Sequence, residues 1–420
     1  MRAVLKQNIA GFSKTITRDP KGDVMQETWR WFGPNDPISL EKIRQAGATG
    51  IVTALHHIPA GQVWSEDEVR KRRDSIERAG LEWAVVESIP LHNDIKLRTG
   101  NYREQIDNYK KSIRAVGSAG VTTVCYNFMP VVDWTRTNLS YQLANKAQAL
   151  RFEMTDFAAY DVHLLQRPGA RDSYSAEVLA KAEARFAAMS DEEKVLLEKN
   201  IIAGLPGGEG SYDRQSVRAA IDAFIQLGEE RFRENLILFL EEVIPVAEEA
   251  GVNMCIHPDD PPFSLFGLPR VVSTADDARL IFSRVPSPNN GLTLCAGSFG
   301  ARGDNDLVAI AREFGSQVHF VHLRNVKREA DGSFYESDHL DGDNDMVGLM
   351  SALLDEEHRR KDEGRSDWQI PMRPDHGHLL ADEIGQPGVN PGYSYMGRLK
   401  GLAELRGVLA ALEAMRGKQL

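Results

Sequence analysis

Eight short runs rich in apolar and β-branched residues recur along the chain: ETWRWFG (27–33), GIVTAL (50–55), EWAVVES (82–88), TVCYNF (123–128), NMCIHP (253–258), LTLCAGS (292–298), VHFVHLR (318–324) and IPMRPD (370–375). Most are nearly continuous in apolar character rather than alternating, the pattern of strands covered on both faces in a parallel sheet. Polar residues and a stretch of helical period follow, as in SEDEVRKRRDSIERAG (65–80), REQIDNYKKSIRAVGSAG (103–120) and NDLVAIAREFG (305–315). Ser65 and Glu68 have the spacing of a capping box, and Gly80 that of a helix stop. Eight β-then-α units predict an α/β fold, a (β/α)8 TIM barrel. A doubly wound open sheet is the rival architecture, but no Gly-x-Gly-x-x-Gly follows the first run.

The interval between the fourth and fifth runs is too long for one crossover. Residues 134–235 hold RPGARD, the charged stretch SAEVLAKAEARFAAMSDEEKVLLEKN and the break AGLPGGEGSY. They predict a mostly helical insertion capping one face of a single barrel domain, residues 25–420. Residues 1–24, with Met25 as a second possible start, predict an N-terminal extension or flexible arm. The 420 residues, 42% hydrophobic, suffice for a large core. A formal charge of −11 without a Lys/Arg block argues against nucleic acid or an anionic membrane as partner. Even LILFLEEVIPVAEEAGV, the longest apolar candidate, carries glutamates, so no run spans a bilayer. With no secretory signal and only Cys125, Cys255 and Cys295, the chain is expected in the reducing cytoplasm.

Chemistry concentrates where the runs end. The second ends at His56-His57, the third at Glu87, and the fourth carries Asn127. The last four end at His257, at Cys295, at His322 and Arg324, and at Arg373, Asp375 and His376. In a (β/α)8 barrel these ends share one rim, where active sites are built. His257, Cys295, His322 and Asp375 would lie along one arc, and imidazole, thiolate and carboxylate are transition-metal ligands. Each has an ordinary reading alone: Cys295 as a buried hydrophobe, His322 as a core histidine, Asp375 as a turn cap. His376, one residue past Asp375, is placed as a general acid or base. Arg324 and Arg373 are candidate forks for a carboxylate. Tyr393 lies in a Gly/Pro loop, GVNPGYSYMGRLKG, that could return over the rim. Asp259 and Asp260 read as a turn before Pro261-Pro262, and Cys125 and Cys255 as core.

The blocks MQETWRWFGPNDP, TGIVTALHHIP, VVESIPLHNDIK, TVCYNFMPVVDWTRT, CIHPDDPP, HLDGDNDM, IPMRPDHGH and NPGYS…GRLKGLAELRG together resemble the mannonate dehydratases of the hexuronate pathway, from about Met25 to the C-terminus. The resemblance implies a xylose-isomerase-like TIM barrel, dehydration of D-mannonate to 2-keto-3-deoxy-D-gluconate in glucuronate catabolism, and Mn²⁺ or Fe²⁺ as cofactor. It carries the metal ligands onto His257, Cys295, His322 and Asp375 and the proton-transfer pair onto His376 and Tyr393. Arg324, Arg373, Asn127 and His57 are expected substrate contacts, and a homo-oligomer is possible. A separate dehydratase family on the enolase fold, using Mg²⁺ on carboxylates, has different blocks. A metal-dependent sugar or sugar-acid isomerase or epimerase on the same barrel is the alternative, and a non-catalytic sugar-acid binding protein a further one. On ligand softness, one thiolate with two imidazoles suits Zn²⁺ or Fe²⁺ better than Mn²⁺. Arg373 or the metal is expected to lower the Tyr393 phenol's pKa.

Overall fold

The structure is a computed structural model that describes residues 24–202 and 213–416. The expected N-terminal extension therefore lies, but for Val24, outside the described residues. Among the described residues, twelve strands occur in chain order: β1 (Gln26–Arg30), β2 (Gly50–Thr53), β3 (Glu82–Glu87), β4 (Thr123–Tyr126), β5 (Asn138–Gln142), β6 (Gln148–Phe152), β7 (Asn253–Ile256), β8 (Asn290–Cys295), β9 (Val318–His322), β10 (Val326–Arg328), β11 (Phe334–Glu336) and β12 (Pro371–Arg373). Eight of them close a parallel barrel in the order β1-β12-β9-β8-β7-β4-β3-β2. All eight predicted runs are barrel strands.

The barrel has two apolar compartments, as a (β/α)8 fold must. Val52, Ala84, Val85, Cys125, Cys255 and Phe320 form one buried cluster of strand residues. A much larger one joins the strands to the helices around them. The helix Glu229–Ala250 shows how the outer layer forms. Its Phe232, Leu236, Phe239, Leu240 and Val243 recur at helical spacing and are buried, with Phe239 edge-on to Tyr109 at 5.3 Å between ring centroids. The helix Glu66–Arg78 begins as predicted at Ser65, whose side chain accepts the Glu68 N–H. The reciprocal half of the capping box is replaced, because the Glu68 carboxylate bonds Lys71 and His57.

Between β4 and β7 the chain is mostly helical, with helices Met154–Ala159, Ala176–Ala188, Asp191–Ile202 and Arg214–Leu227. It also carries the β5–β6 hairpin, which the sequence pattern did not reveal. β6 pairs antiparallel with β11, Phe152 opposite Phe334, giving a second sheet in the order β10-β11-β6-β5. β10 and β11 have three residues each. Such short hairpins lack a period of their own and persist by pairing with each other. Among the described residues, no helix is long and apolar enough to cross a membrane.

Candidate active site and metal centre

Strand register brings the expected residues together. Cys295 on β8 stands opposite His322 on β9, and His322 opposite Arg373 on β12. His257 follows β7 directly, its N–H bonded to the Tyr126 carbonyl at 2.8 Å. Asp375 lies two residues beyond β12 with φ 64°, a left-handed conformation that aspartate tolerates better than most residues. His257 Nε2 is 3.2 Å from His322 Nδ1, and His322 Nδ1 is 3.8 Å from Asp375 Oδ2. Cys295 Sγ is 4.0 Å from Asp375 Oδ2, and the ligand atoms of His257, Cys295 and His322 all lie within 4.8 Å of one another. Bonds of about 2.0–2.3 Å to a shared ion would separate ligand atoms by such distances.

The hydrogen bonds argue for a cation at that point. His257 Nδ1 donates to the Pro258 carbonyl at 2.7 Å, which turns Nε2 toward His322. His322 Nε2 lies 3.5 Å from Glu87 Oε1, a charge contact rather than a hydrogen bond. The two nitrogens face each other at 3.2 Å, an approach that a shared proton or a shared metal ion would hold. The electrostatics agree. Burial alone would lower His257, but the Cys295 thiolate raises it to about 10. Burial would raise the Cys295 thiol, but Arg324 and His257 hold it well below its usual range. Asp375, also disfavoured by burial, is held down chiefly by Arg373. The quartet has the donors and the charge that suit a divalent cation.

Arg324 and Arg373 are buried beside this centre with their forks filled by protein carboxylates. Arg324 Nη2 bonds Asp260, its Nη1 bonds Glu336, and its Nε lies 2.9 Å from Asp375 Oδ2. Arg373 bonds Asp375 and, at 2.9 Å, Glu87 Oε1. They therefore fix Asp375 and set positive charge beside Cys295. His376 and Tyr393 are buried and meet edge-on at 5.1 Å between ring centroids. Gly377 permits that approach. Its N–H bonds the Gly392 carbonyl at 2.8 Å, and a Cβ there would lie 2.4 Å from the Arg398 backbone nitrogen. Burial first, then Asp375, raises the Tyr393 phenol to about 12, outweighing the lowering expected from Arg373. The phenol thus keeps its proton.

Asn127 sits half-buried just past β4. His57 is not brought to the centre, because it is exposed and its Nε2 lies 3.1 Å from Glu68. Its neighbour His56 turns inward instead, both ring nitrogens buried without a hydrogen-bond partner and the ring 5.9 Å from Phe32. Burial, then Arg30 and Arg72, lowers it to about 3. Phe32 itself lies edge-on to Tyr393 at 5.0 Å. Three further charged residues were not expected here. Asp260 bonds Arg136 at 2.7 Å, and Glu336 bonds Arg136 at 2.8 Å and lies 3.2 Å from His376 Nδ1. Burial opposes ionisation of Glu336, yet Arg324 and His376 hold it at about 2. Asp259, read as part of a turn before Pro261-Pro262, instead ties a longer loop together, accepting the Val271 and Val272 N–H groups.

Fold and site together define an enzyme of the (β/α)8 class, in which chemistry is built where the strands end. Comparison with known proteins narrows this. The chain belongs to the D-mannonate dehydratase (UxuA) family, whose model matches residues 25–419. It is 70% identical over 392 residues to a mannonate dehydratase of Saccharophagus degradans, covering 93% of this chain and 99% of that protein. It is 59% identical over 389 residues to mannonate dehydratase 2 of Agrobacterium fabrum, covering 93% and 98%. The crystal structure of mannonate dehydratase from Streptococcus suis serotype 2 superposes with a TM-score of 0.74 at 34% identity, covering 94% of this chain and 95% of that one. The chain is a hydro-lyase that removes water from D-mannonate.

Proposed function

We propose that this dehydration is metal-dependent and runs at the rim formed by β7, β8, β9 and β12, with His257, Cys295, His322 and Asp375 as the ligands of one divalent cation. The observation that carries the reading is the convergence of ligand atoms: His257 Nε2 lies 3.2 Å from His322 Nδ1, and Asp375 Oδ2 lies 3.8 Å from that nitrogen and 4.0 Å from Cys295 Sγ. Mn²⁺ or Fe²⁺ bound there would supply a Lewis acid for the negative charge that grows as the sugar acid loses its C2 proton.

The remaining work falls to side chains. Dehydration takes the proton from C2 and the hydroxyl from C3, and the enol so formed becomes 2-keto-3-deoxy-D-gluconate. The C2 proton is weakly acidic because the neighbouring carboxylate is already negative, so both a base and an acid must be placed, each worth about 10²–10⁴-fold. His376 accepts the C2 proton. Tyr393, which holds its own proton, gives it to the departing C3 hydroxyl. Arg324 and Arg373 keep the site positive for an anionic substrate, and His56, rather than His57, joins Asn127 as a substrate contact. On this reading the enzyme serves hexuronate breakdown in the cytoplasm, in keeping with three buried cysteines that form no disulfide.

Incubation of the purified protein with D-mannonate tests it. A 2-keto-3-deoxy product, lighter than substrate by one water, should form with Mn²⁺ or Fe²⁺ and cease after chelation. Full activity after exhaustive chelation would overturn the metal reading, and an isomer of unchanged mass would favour the isomerase alternative.

A further inference from the structure

Nδ1 of His376 lies 3.2 Å from Glu336 Oε1 and also 3.2 Å from Arg324 Nη1. These contacts are not equivalent. A guanidinium has no acceptor, whereas an imidazole that has taken up a proton carries N–H on both nitrogens. Once His376 holds two protons, its Nδ1–H can be received by Glu336 but not by Arg324. If instead Nδ1 accepted from Arg324, the proton of the neutral ring would sit on Nε2, the wrong tautomer for a base working through that nitrogen. Nε2 lies on the side of the ring toward Asp375, 3.9 Å from Oδ1.

Glu336 does not come from the barrel. It ends β11, in the sheet shared with the insertion hairpin. Arg136, which precedes β5, bonds the Glu336 carboxylate at 2.8 Å, and the Glu336 backbone carbonyl accepts from His378 Nε2 at 2.9 Å. The second sheet thus presents a carboxylate to the ring from a strand that is not part of the barrel.

We infer that Glu336 is a positioning residue for His376: it receives the Nδ1–H, keeps Nε2 as the proton-accepting nitrogen, and stabilises the imidazolium when the substrate's proton arrives. The inference rests on the reading above that His376 transfers a proton.

A double-mutant cycle on the metal-loaded enzyme tests it, with Glu336→Gln, His376→Asn and the pair together. Glu336→Gln should lower kcat by about 10²-fold or more, with KM for D-mannonate changed less than about threefold and divalent-metal affinity unchanged. In the His376→Asn background the same substitution should cost less than about threefold, because the group it acts through is gone. Equal losses in both backgrounds would mean that Glu336 acts structurally, and the inference fails. A Glu336→Gln enzyme of normal kcat beside an inactive His376→Asn enzyme would sink this inference alone. A near-normal His376→Asn enzyme would remove the reading beneath it. Should Glu336→Gln not fold, Glu336→Asp keeps the charge between the two arginines and withdraws it from the ring by one methylene. It should fold with normal metal affinity, lose kcat, and lose it only when His376 is present; loss in both backgrounds overturns the inference.

Discussion

Cys125 and Cys295 are fully buried on strands of the same barrel, yet their thiols move in opposite directions. Cys125 belongs to the apolar cluster with Val52, Val85 and Phe320, and burial drives its thiol well above the usual range. Cys295 is just as buried, but Arg324 and His257 outweigh the effect of burial and hold its thiol well below the usual range. The backbone contributes too, since the Ser298 N–H donates to Cys295 Sγ at 3.4 Å. Burial by itself therefore does not decide what a cysteine does. It removes water, and the fixed charges nearby then decide. Toward the apolar cluster those charges are few, and at the rim Arg324, Arg373, Glu87, Asp260 and Glu336 supply them.

The largest expected effect separates the two cysteines. Cys295→Ser should weaken divalent-metal binding by more than about 10²-fold and abolish most turnover, measured by metal titration and a product assay. Cys125→Ser should leave both within about threefold and instead lose about 1–3 kcal/mol of stability to an awkward buried hydroxyl, read from denaturant melts. Equal damage to metal binding from both substitutions would break the comparison. Next in size is His376→Asn, which should keep its metal and lose about 10²–10⁴-fold in kcat. Loss of metal together with activity would make His376 a ligand.

The smallest effect extends the comparison to carboxylates. Asp375, surrounded by cations, goes down, while Glu357 goes up to about 8 because burial outweighs Arg360. Between the ordinary glutamate pKa and 8 the folded chain holds a proton there that the unfolded chain has released. Stability attributable to Glu357 is therefore full at low pH and declines as pH rises toward 8. Glu357→Gln, which cannot ionise, should show a flatter fall in Tm between about pH 5 and pH 8, by roughly several degrees. Parallel curves for the two proteins would contradict the assignment.

The convergence of His257, Cys295, His322 and Asp375 on one rim was legible in the sequence because a parallel barrel turns chain order into position. Once His257, Cys295, His322 and Asp375 are strand-end residues on β7, β8, β9 and β12, one rim follows, and register completes it. The partners of His376 were not legible. Glu336 ends a three-residue strand too short to show a period, Arg136 lies ahead of β5, and Asp260 sits in a turn that resembles any acidic turn before proline. The HH dipeptide shows the same limit at single-residue scale. Strand β2 ends at Thr53, and the turn beyond it, not periodicity, sends His56 inward and His57 out to Glu68.

The most direct measurement is X-ray absorption at the metal edge of the active, metal-loaded enzyme. One sulfur scatterer at thiolate bonding distance, alongside nitrogen and oxygen neighbours and lost in Cys295→Ser, is the expected result. A shell of oxygen and nitrogen alone in a fully active enzyme would place the metal elsewhere and contradict the account.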